Sequence, residues 1–463
     1  MFSYLWLTYQ FISKSLNLSK YVNNISGLQT FQILRFAVFL AISIVLSKST
    51  LSLKDIGDFE YFLFLTSALS FFWANGIIQS FLPLYHNNST FFKRNKNSDR
   101  YKSPEIFNAF ILLTGFSLFV GIILLVLGNN IKVYKTVEDI PYLYLMLLYI
   151  LITTPTNLVE YIYLVRNKPN KIVLYGITSF SLQLFLAIYP VLMGWGIQWS
   201  IYSLLVVSGL RFIWLVALVR KYAKFRFSLP FIQDHLRLGA PLIISSLLSG
   251  SAQYIDGLIV SSCFSPEIFA IFRYGAKEVP FVIMMANGLN NAMLTEFRTP
   301  ESSKEAIATL KRKSKRLMHI LFPISILLLL YSNTIYISLF NTHFGQSSDI
   351  FMIYILLITS RLVFPQTILI GLKKTRVVMT VSVIAIIINI ILSLFLIKIY
   401  GITGVALATV VVYVLEKTFL IIYNSVILKI KASDYIPLFW HITYSVLIIL
   451  VFVLIDHRII MQR

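Results

Sequence analysis

Apolar residues along this chain gather into continuous runs of about 20, separated by short polar stretches rich in Lys and Arg. Inside the runs there is neither the alternation of a half-buried strand nor the narrow stripe of a surface helix. A helix of that length, apolar all round, matches the hydrocarbon core of a bilayer. The runs fall at 28–48, 59–83, 106–128, 142–165, 172–194, 199–219, 238–262, 265–291, 317–340, 348–371, 377–398 and 402–424, which predicts twelve core spans. A thirteenth run, 436–456, is either one more span or a surface or re-entrant helix. Residues 1–27 are too polar to span, and their apolar stretches are broken by Gln10, Lys14 and Asn17. They are expected to form a cytoplasmic or interfacial segment and not a removed signal peptide.

The polar stretch 220–237 divides the twelve runs into six and six. It is read as a basic cytoplasmic linker joining an N-lobe, 28–219, to a C-lobe, 238–424, with 425–463 as a C-terminal extension. The halves look like copies. Trp73-Ala74-Asn75-Gly76-Ile77 matches Met285-Ala286-Asn287-Gly288-Leu289. Pro155 precedes Arg166 as Pro365 precedes Arg376, and Gly196-Ile197 opens the sixth run as Gly401-Ile402 opens the twelfth. Repeats with an even number of spans share one orientation, and parallel repeats place a site between two lobes. The expected fold is therefore all-α: a polytopic membrane protein with two pseudo-symmetric six-helix lobes around a central cationic cavity.

Composition agrees. Of 463 residues, 57% are hydrophobic and 13% charged, and the mean hydropathy is +0.79; a soluble domain carries about 25% charged residues. A net charge of +21 in a soluble chain would suggest nucleic acid. Here the excess belongs to loops: with the N-terminus in the cytoplasm, the inward segments carry 27 Lys and Arg and the outward ones 7, the asymmetry of positive-inside topology. No nucleic-acid partner is expected. The single Cys263 and the scattered His form no metal-ligand pattern, and there is no Gly-rich phosphate loop. Neither a metal, a cofactor nor a catalytic cluster is expected, and the chain reads as a non-enzyme.

Apart from Lys48 and Lys398 at run ends, six bases lie within the apolar runs: Arg35, Arg211, Arg273, Lys277, Arg361 and Lys417. Each costs roughly 2.5–3.5 kcal/mol at a helix centre, so they are expected to line a wet interior, not lipid. Arg211 and Arg361 fall near mid-membrane, Arg35 falls in the inner half of the first span, and Arg273 and Lys277 are four apart, on one face of a continuous helix. These five are the candidate binding residues for an anion. Lys417 follows Glu416 near a span end, where it is placed to snorkel. The intramembrane acids Glu160, Asp256, Glu278 and Glu416 are charge partners of the bases or sites for a coupling ion.

Several runs carry a family resemblance. Asn389 followed by Ile390-Ile391-Leu392-Ser393-Leu394, then Tyr400-Gly401-Ile402-Thr403-Gly404-Val405-Ala406-Leu407-Ala408-Thr409, resembles a signature of the polysaccharide and oligosaccharide-lipid flippases of the multidrug/oligosaccharidyl-lipid/polysaccharide exporter superfamily. Ser393 stands where that family often has Asn. Gly371-Leu372-Lys373-Lys374-Thr375-Arg376, Ala240-Pro241-Leu242 with Asp256, and Tyr274-Gly275-Ala276-Lys277 before Pro280 are similar to further family patterns. The resemblance implies a two-lobed, V-shaped flippase of the bacterial inner membrane. Its substrate would be an undecaprenyl-pyrophosphate-linked oligosaccharide for O-antigen, capsule or exopolysaccharide. Its partners would be membrane lipids and a polysaccharide polymerase with its chain-length regulator. Two rival readings fit the same composition less well. A cation-coupled multidrug exporter would favour acids over bases. A membrane-embedded glycan polymerase or glycosyltransferase would need a large outer loop or an Asp-x-Asp motif, and neither is present.

Overall fold

The structure, a computed structural model, describes residues 24–88, 102–127, 140–294, 296, 300–372 and 374–462. Most of the N-terminal segment 1–27 and much of the loops at 84–105 and 129–141 lie outside the described residues. The described residues form helices joined by short turns, with an isolated bridge between Ser103 and Ala223 and no strand among them. The elements are α1 (Asn24–Lys48), α2 (Leu53–Asn88), α3 (Pro104–Leu127), α4 (Leu143–Thr156), α5 (Leu158–Val165), α6 (Pro169–Leu192), α7 (Ile197–Tyr222), α8 (Leu229–Cys263), α9 (Pro266–Gly275) and α10 (Pro280–Leu294). There follow α11 (Pro300–Leu330), α12 (Ser332–Leu339), α13 (Gly345–Ile355), α14 (Ile358–Arg361), α15 (Pro365–Gly371), α16 (Thr375–Tyr400), α17 (Ile402–Val426), α18 (Ala432–Tyr435) and α19 (Leu438–Gln462).

Nine helices among the described residues are long and apolar enough to cross a membrane, or eleven if each of two bent pairs counts as one span. The protein is a multi-pass membrane protein. The thirteenth run forms one of the nine, Leu438–Asp456. The run at 238–262 sits within α8.

Four runs expected as single helices are interrupted: 142–165 by a one-residue turn at Asn157, between α4 and α5, and three others by longer or bent breaks. The run 265–291 becomes α9 and α10, with Ala276–Val279 unwound between them. Pro280 donates no backbone N–H and disfavours helix in the residue before it, so α9 cannot continue into α10. Arg273 is therefore helical and Lys277 is not, and the expectation that they share one continuous helix face is corrected. The run 348–371 ends its first part at Arg361 and restarts at Pro365 with a 45° bend, and the run 317–340 bends by 66° between α11 and α12. Proline at the first helical position again marks the restart. Unwound backbone within hydrocarbon is tolerated where it faces protein or a wet cavity.

The chain divides into two compact units. The first holds α1, α2 from Thr66 onward, α3 to α7, and α8 up to Ser246; the second holds the opening of α2 (Ser52–Leu65), the rest of α8, and α9 to α19. In the first unit α6 packs between α1 and α7, and α4 packs against α3 and α7, around Trp73, Phe81, Ile162, Leu215 and Tyr222. The beginning of α8 stays with this unit because its turns are tied to α2: His235 Nε2 lies 2.8 Å from the Ile77 carbonyl, and Gly76 lets Ile243 approach so closely that an added methyl would sit 2.6 Å from its backbone nitrogen. In the second unit α16 and α17 form the most extensive helix pair, α11 carries α19, and α13 packs against α9 and α17, around Met318, Phe322, Ile358, Leu362 and Phe364.

The two halves end their hairpins alike. Gly196 caps α7 at φ 89° and Gly401 caps α17 at φ 62°. Both values lie in the left-handed region that glycine enters without strain, so the glycine pair read from the sequence marks the same chain reversal in each half.

Candidate functional site

Each unit holds its own polar cluster. In the first, α7 carries Arg211 towards α6. Its Nη2 donates to Gln183 Oε1 at 2.7 Å and to the Ser179 carbonyl at 3.3 Å, and the guanidinium lies over the Phe180 ring at 4.8 Å. These partners are neutral, and among the described residues no carboxylate reaches Arg211 at ion-pair distance. Three nearby donors are buried without an acceptor: Arg211 Nε, Gln183 Nε2 and the Ser179 hydroxyl. Gln183 and Ser179 are one turn apart on α6, so both face α7 together. Glu160 is buried at the start of α5, just past the break at Asn157. The cations whose fields reach it are Arg35 and Arg211. Arg35 is exposed on α1. Arg211 and Glu160 thus lie within this unit, with Arg35 on its exposed side.

In the second unit the broken helices supply the charges. Glu278 lies in the unwound stretch before α10, and Arg361 is the last residue of α14. They form a two-pronged ion pair: Nη2 to Oε1 at 2.6 Å and Nε to Oε2 at 3.1 Å. Parallel charge-assisted bonds of this kind are about twice as strong as neutral ones. Tyr413 supports the pair, its ring 4.6 Å from the guanidinium. The charge of Arg361 is therefore matched in this conformation, and Glu278 partners Arg361 rather than Arg273 or Lys277. Arg273 lies 3.8 Å from Glu60 of α2 and 5.2 Å from the Phe64 ring centre. Lys277 sits over Tyr274 at 4.6 Å, with Glu60 and Arg273 as the charged groups whose fields reach it.

Asp256 of α8 is buried without a basic partner among the described residues. It accepts from Tyr354 Oη at 2.6 Å and from Thr409 Oγ1 at 2.7 and 2.8 Å. Thr409 in turn accepts from Asn389 Nδ2 at 2.9 Å. Asn389 Oδ1 and Ser393 Oγ, one turn apart on α16, are buried and have no partner. Lys417 donates to Gln366 at 2.8 Å and Glu416 accepts from Ser382 at 2.8 Å, so these two neighbours in sequence are held by different neutral residues.

Sequence reasoning missed Glu60, Gln183, Tyr354 and Gln366. Gln183 carried a readable signal, an amide inside an apolar membrane-length run. Glu60 is the second residue of its run, at the edge of the apolar stretch.

Comparison with solved structures shows what the fold is similar to. The fold is similar to that of "Lipid II flippase MurJ, inward closed conformation", with TM-score 0.63 and 18% identity over 93% of this chain and 99% of that one. An inward-facing multidrug resistance transporter of the MATE family, in the MOP superfamily, matches with TM-score 0.61 and 13% identity over 87% and 97%. A MOP superfamily transporter from Pyrococcus furiosus matches with TM-score 0.52 and 13% identity over 87% and 93%. At such identities the likeness is one of fold. No curated protein matches the chain. The family model for "Polysaccharide biosynthesis protein" matches residues 92–349, more than half the chain, and the protein belongs to that family.

Proposed function

We propose that the protein is a flippase that moves an undecaprenyl-pyrophosphate-linked oligosaccharide across the bacterial inner membrane by alternating access, supplying O-antigen, capsule or exopolysaccharide assembly. The observation that carries this reading is Arg211: an intramembrane guanidinium held by neutral partners, with three unsatisfied donors about it. A buried cation without a counter-ion is costly, and a phosphate oxygen supplies both the charge and the missing acceptors. Arg35 and Lys277 add positive charge to the two units, and Arg273 and Arg361 are held by acids until substrate competes for them. The work is carriage of a charged head group through hydrocarbon, with no bond made or broken. The N-terminus is cytoplasmic in this reading, as the loop charges indicate, and the delivered glycan passes to a polymerase and its chain-length regulator.

Asp256 supports a coupling role on the same molecule. A buried carboxylate with two hydroxyl neighbours, beside two unpartnered oxygens on Asn389 and Ser393, suits a proton or a small cation better than a bulky drug.

The test is complementation of a flippase-deficient strain of matched glycan class. Arg211→Ala and Lys277→Ala are expected to abolish export with protein still in the membrane. Full complementation by both would overturn the anion-carrier reading.

A further inference from the structure

The α16–α17 hairpin leaves an apolar groove of about 340 Å³, lined by Val381 and Ile384 of α16 and Phe419, Ile422, Tyr423 and Val426 of α17. Phe419 and Ile422 are each 50% exposed. The helices run antiparallel from the reversal at Gly401, so the groove, near the start of α16 and the end of α17, opens at one end of the hairpin. Four exposed bases cluster at that end: Lys374 and Arg376 where α16 begins, and Lys429 and Lys431 just past α17. Asp434 is the exposed acid there.

We propose that this hairpin binds an anionic membrane phospholipid, with one acyl chain in the groove and the phosphate on Lys374, Arg376, Lys429 and Lys431. An apolar groove beside a set of exposed positive charges matches both halves of such a molecule. The bases sit at the ends of the spans, the depth of a phospholipid phosphate, whereas the bases assigned to the carried pyrophosphate lie within the spans. The loop charges place this end on the cytoplasmic side, where anionic lipid gives surface attraction worth about fivefold in affinity per Lys or Arg. The proposal is independent of what the protein carries.

The purified full-length protein, equilibrated with equal phosphatidylglycerol and phosphatidylethanolamine, is examined by native mass spectrometry for retained lipid. Wild type is expected to keep phosphatidylglycerol preferentially. The variant Lys374→Gln, Arg376→Gln, Lys429→Gln, Lys431→Gln is expected to lose that preference by at least about tenfold. Ile422→Trp, which fills the groove and leaves the charges, is expected to lower total retained lipid. Thermal melting of both variants in detergent confirms folding, and because the two act on different parts of the site, failure of one to fold leaves the other decisive. Equal retention of the two lipids by wild type, or wild-type retention by the folded variants, overturns the proposal. So does complete displacement by an equimolar polyprenyl phosphate, which would identify the occupant as the tail of the carried lipid.

Discussion

In the first compact unit Arg211 meets a side-chain amide and a backbone carbonyl, while in the second Arg361 meets a carboxylate through two bonds and an aromatic ring. Both arginines fall mid-span in the sequence, and by composition they are indistinguishable. Their partners give them different duties. Arg361 fastens one broken helix to another, and its charge is spent on Glu278. Arg211 keeps its charge, because an amide orients a guanidinium without neutralising it. An intramembrane base thus marks a candidate site only together with what it faces: a base with an acid partner is first a fastening, and a base with neutral partners and idle donors nearby is first a binding group.

The comparison is broken most severely at Glu278. Glu278→Gln strands Arg361 within the protein and is expected to destabilise the fold by about 3–5 kcal/mol, read as loss of folded protein in detergent thermal melts. Adding Arg361→Gln removes the stranded charge and is expected to restore much of that loss. If the double variant is no better than the single, the pair is not the fastening described here.

Arg211→Gln should show the opposite balance. Its direct bonds are to neutral groups, so the stability loss is expected to stay at or below about 1–3 kcal/mol, while export falls to background. Arg211→Lys keeps the charge but loses the fork and is expected to retain partial export. Comparable melting loss in Arg211→Gln and Glu278→Gln would erase the distinction between the two arginines.

Asp256→Asn sharpens the account of the second unit. Tyr354 and Thr409 can still hydrogen-bond the amide, so folding is expected to persist. Transport into vesicles is expected to lose its dependence on a proton or sodium gradient and to fall severalfold. Unchanged gradient dependence would assign Asp256 to structure alone.

The smallest effect concerns the tie between α8 and α2. His235 lies before the apolar stretch of α8, and burial pushes its imidazole below its ordinary value, against the pull of the Ile77 carbonyl. The neutral ring is the folded form, with Nε2–H donating. As pH falls through about 6.5, the unfolded chain takes up this proton before the folded one, so the stabilisation present at neutral pH is lost on acidification. The melting temperature is expected to fall between pH 7.5 and 5.5, and His235→Gln to flatten that slope.

Much of the fold was legible in the sequence, because hydrocarbon imposes a length and an apolarity on each span that tertiary packing cannot override. The glycine pair at Gly196 and Gly401 was legible for a similar reason: a chain reversal with positive φ has few residue solutions. The helix break before Pro280 was signalled by the proline, yet the apolar run across it read as one helix, and Arg273 and Lys277 were placed on one face for that reason. The pairings were not legible. Glu278 finds Arg361 and Asp256 finds Thr409 across long chain separations, and a single sequence records each helix's faces without recording which helices meet. Glu60, the partner of Arg273, was hidden in the same way.

The most direct test is binding of a polyprenyl pyrophosphate to purified, folded protein, measured for wild type, Arg211→Gln and Glu278→Gln. The account predicts that Arg211→Gln weakens binding at least about tenfold, the scale of a lost charge-assisted contact. It predicts that Glu278→Gln, measured on its folded fraction, leaves binding intact or tightens it by releasing Arg361. Wild-type affinity in Arg211→Gln, or abolished binding in folded Glu278→Gln, would contradict it.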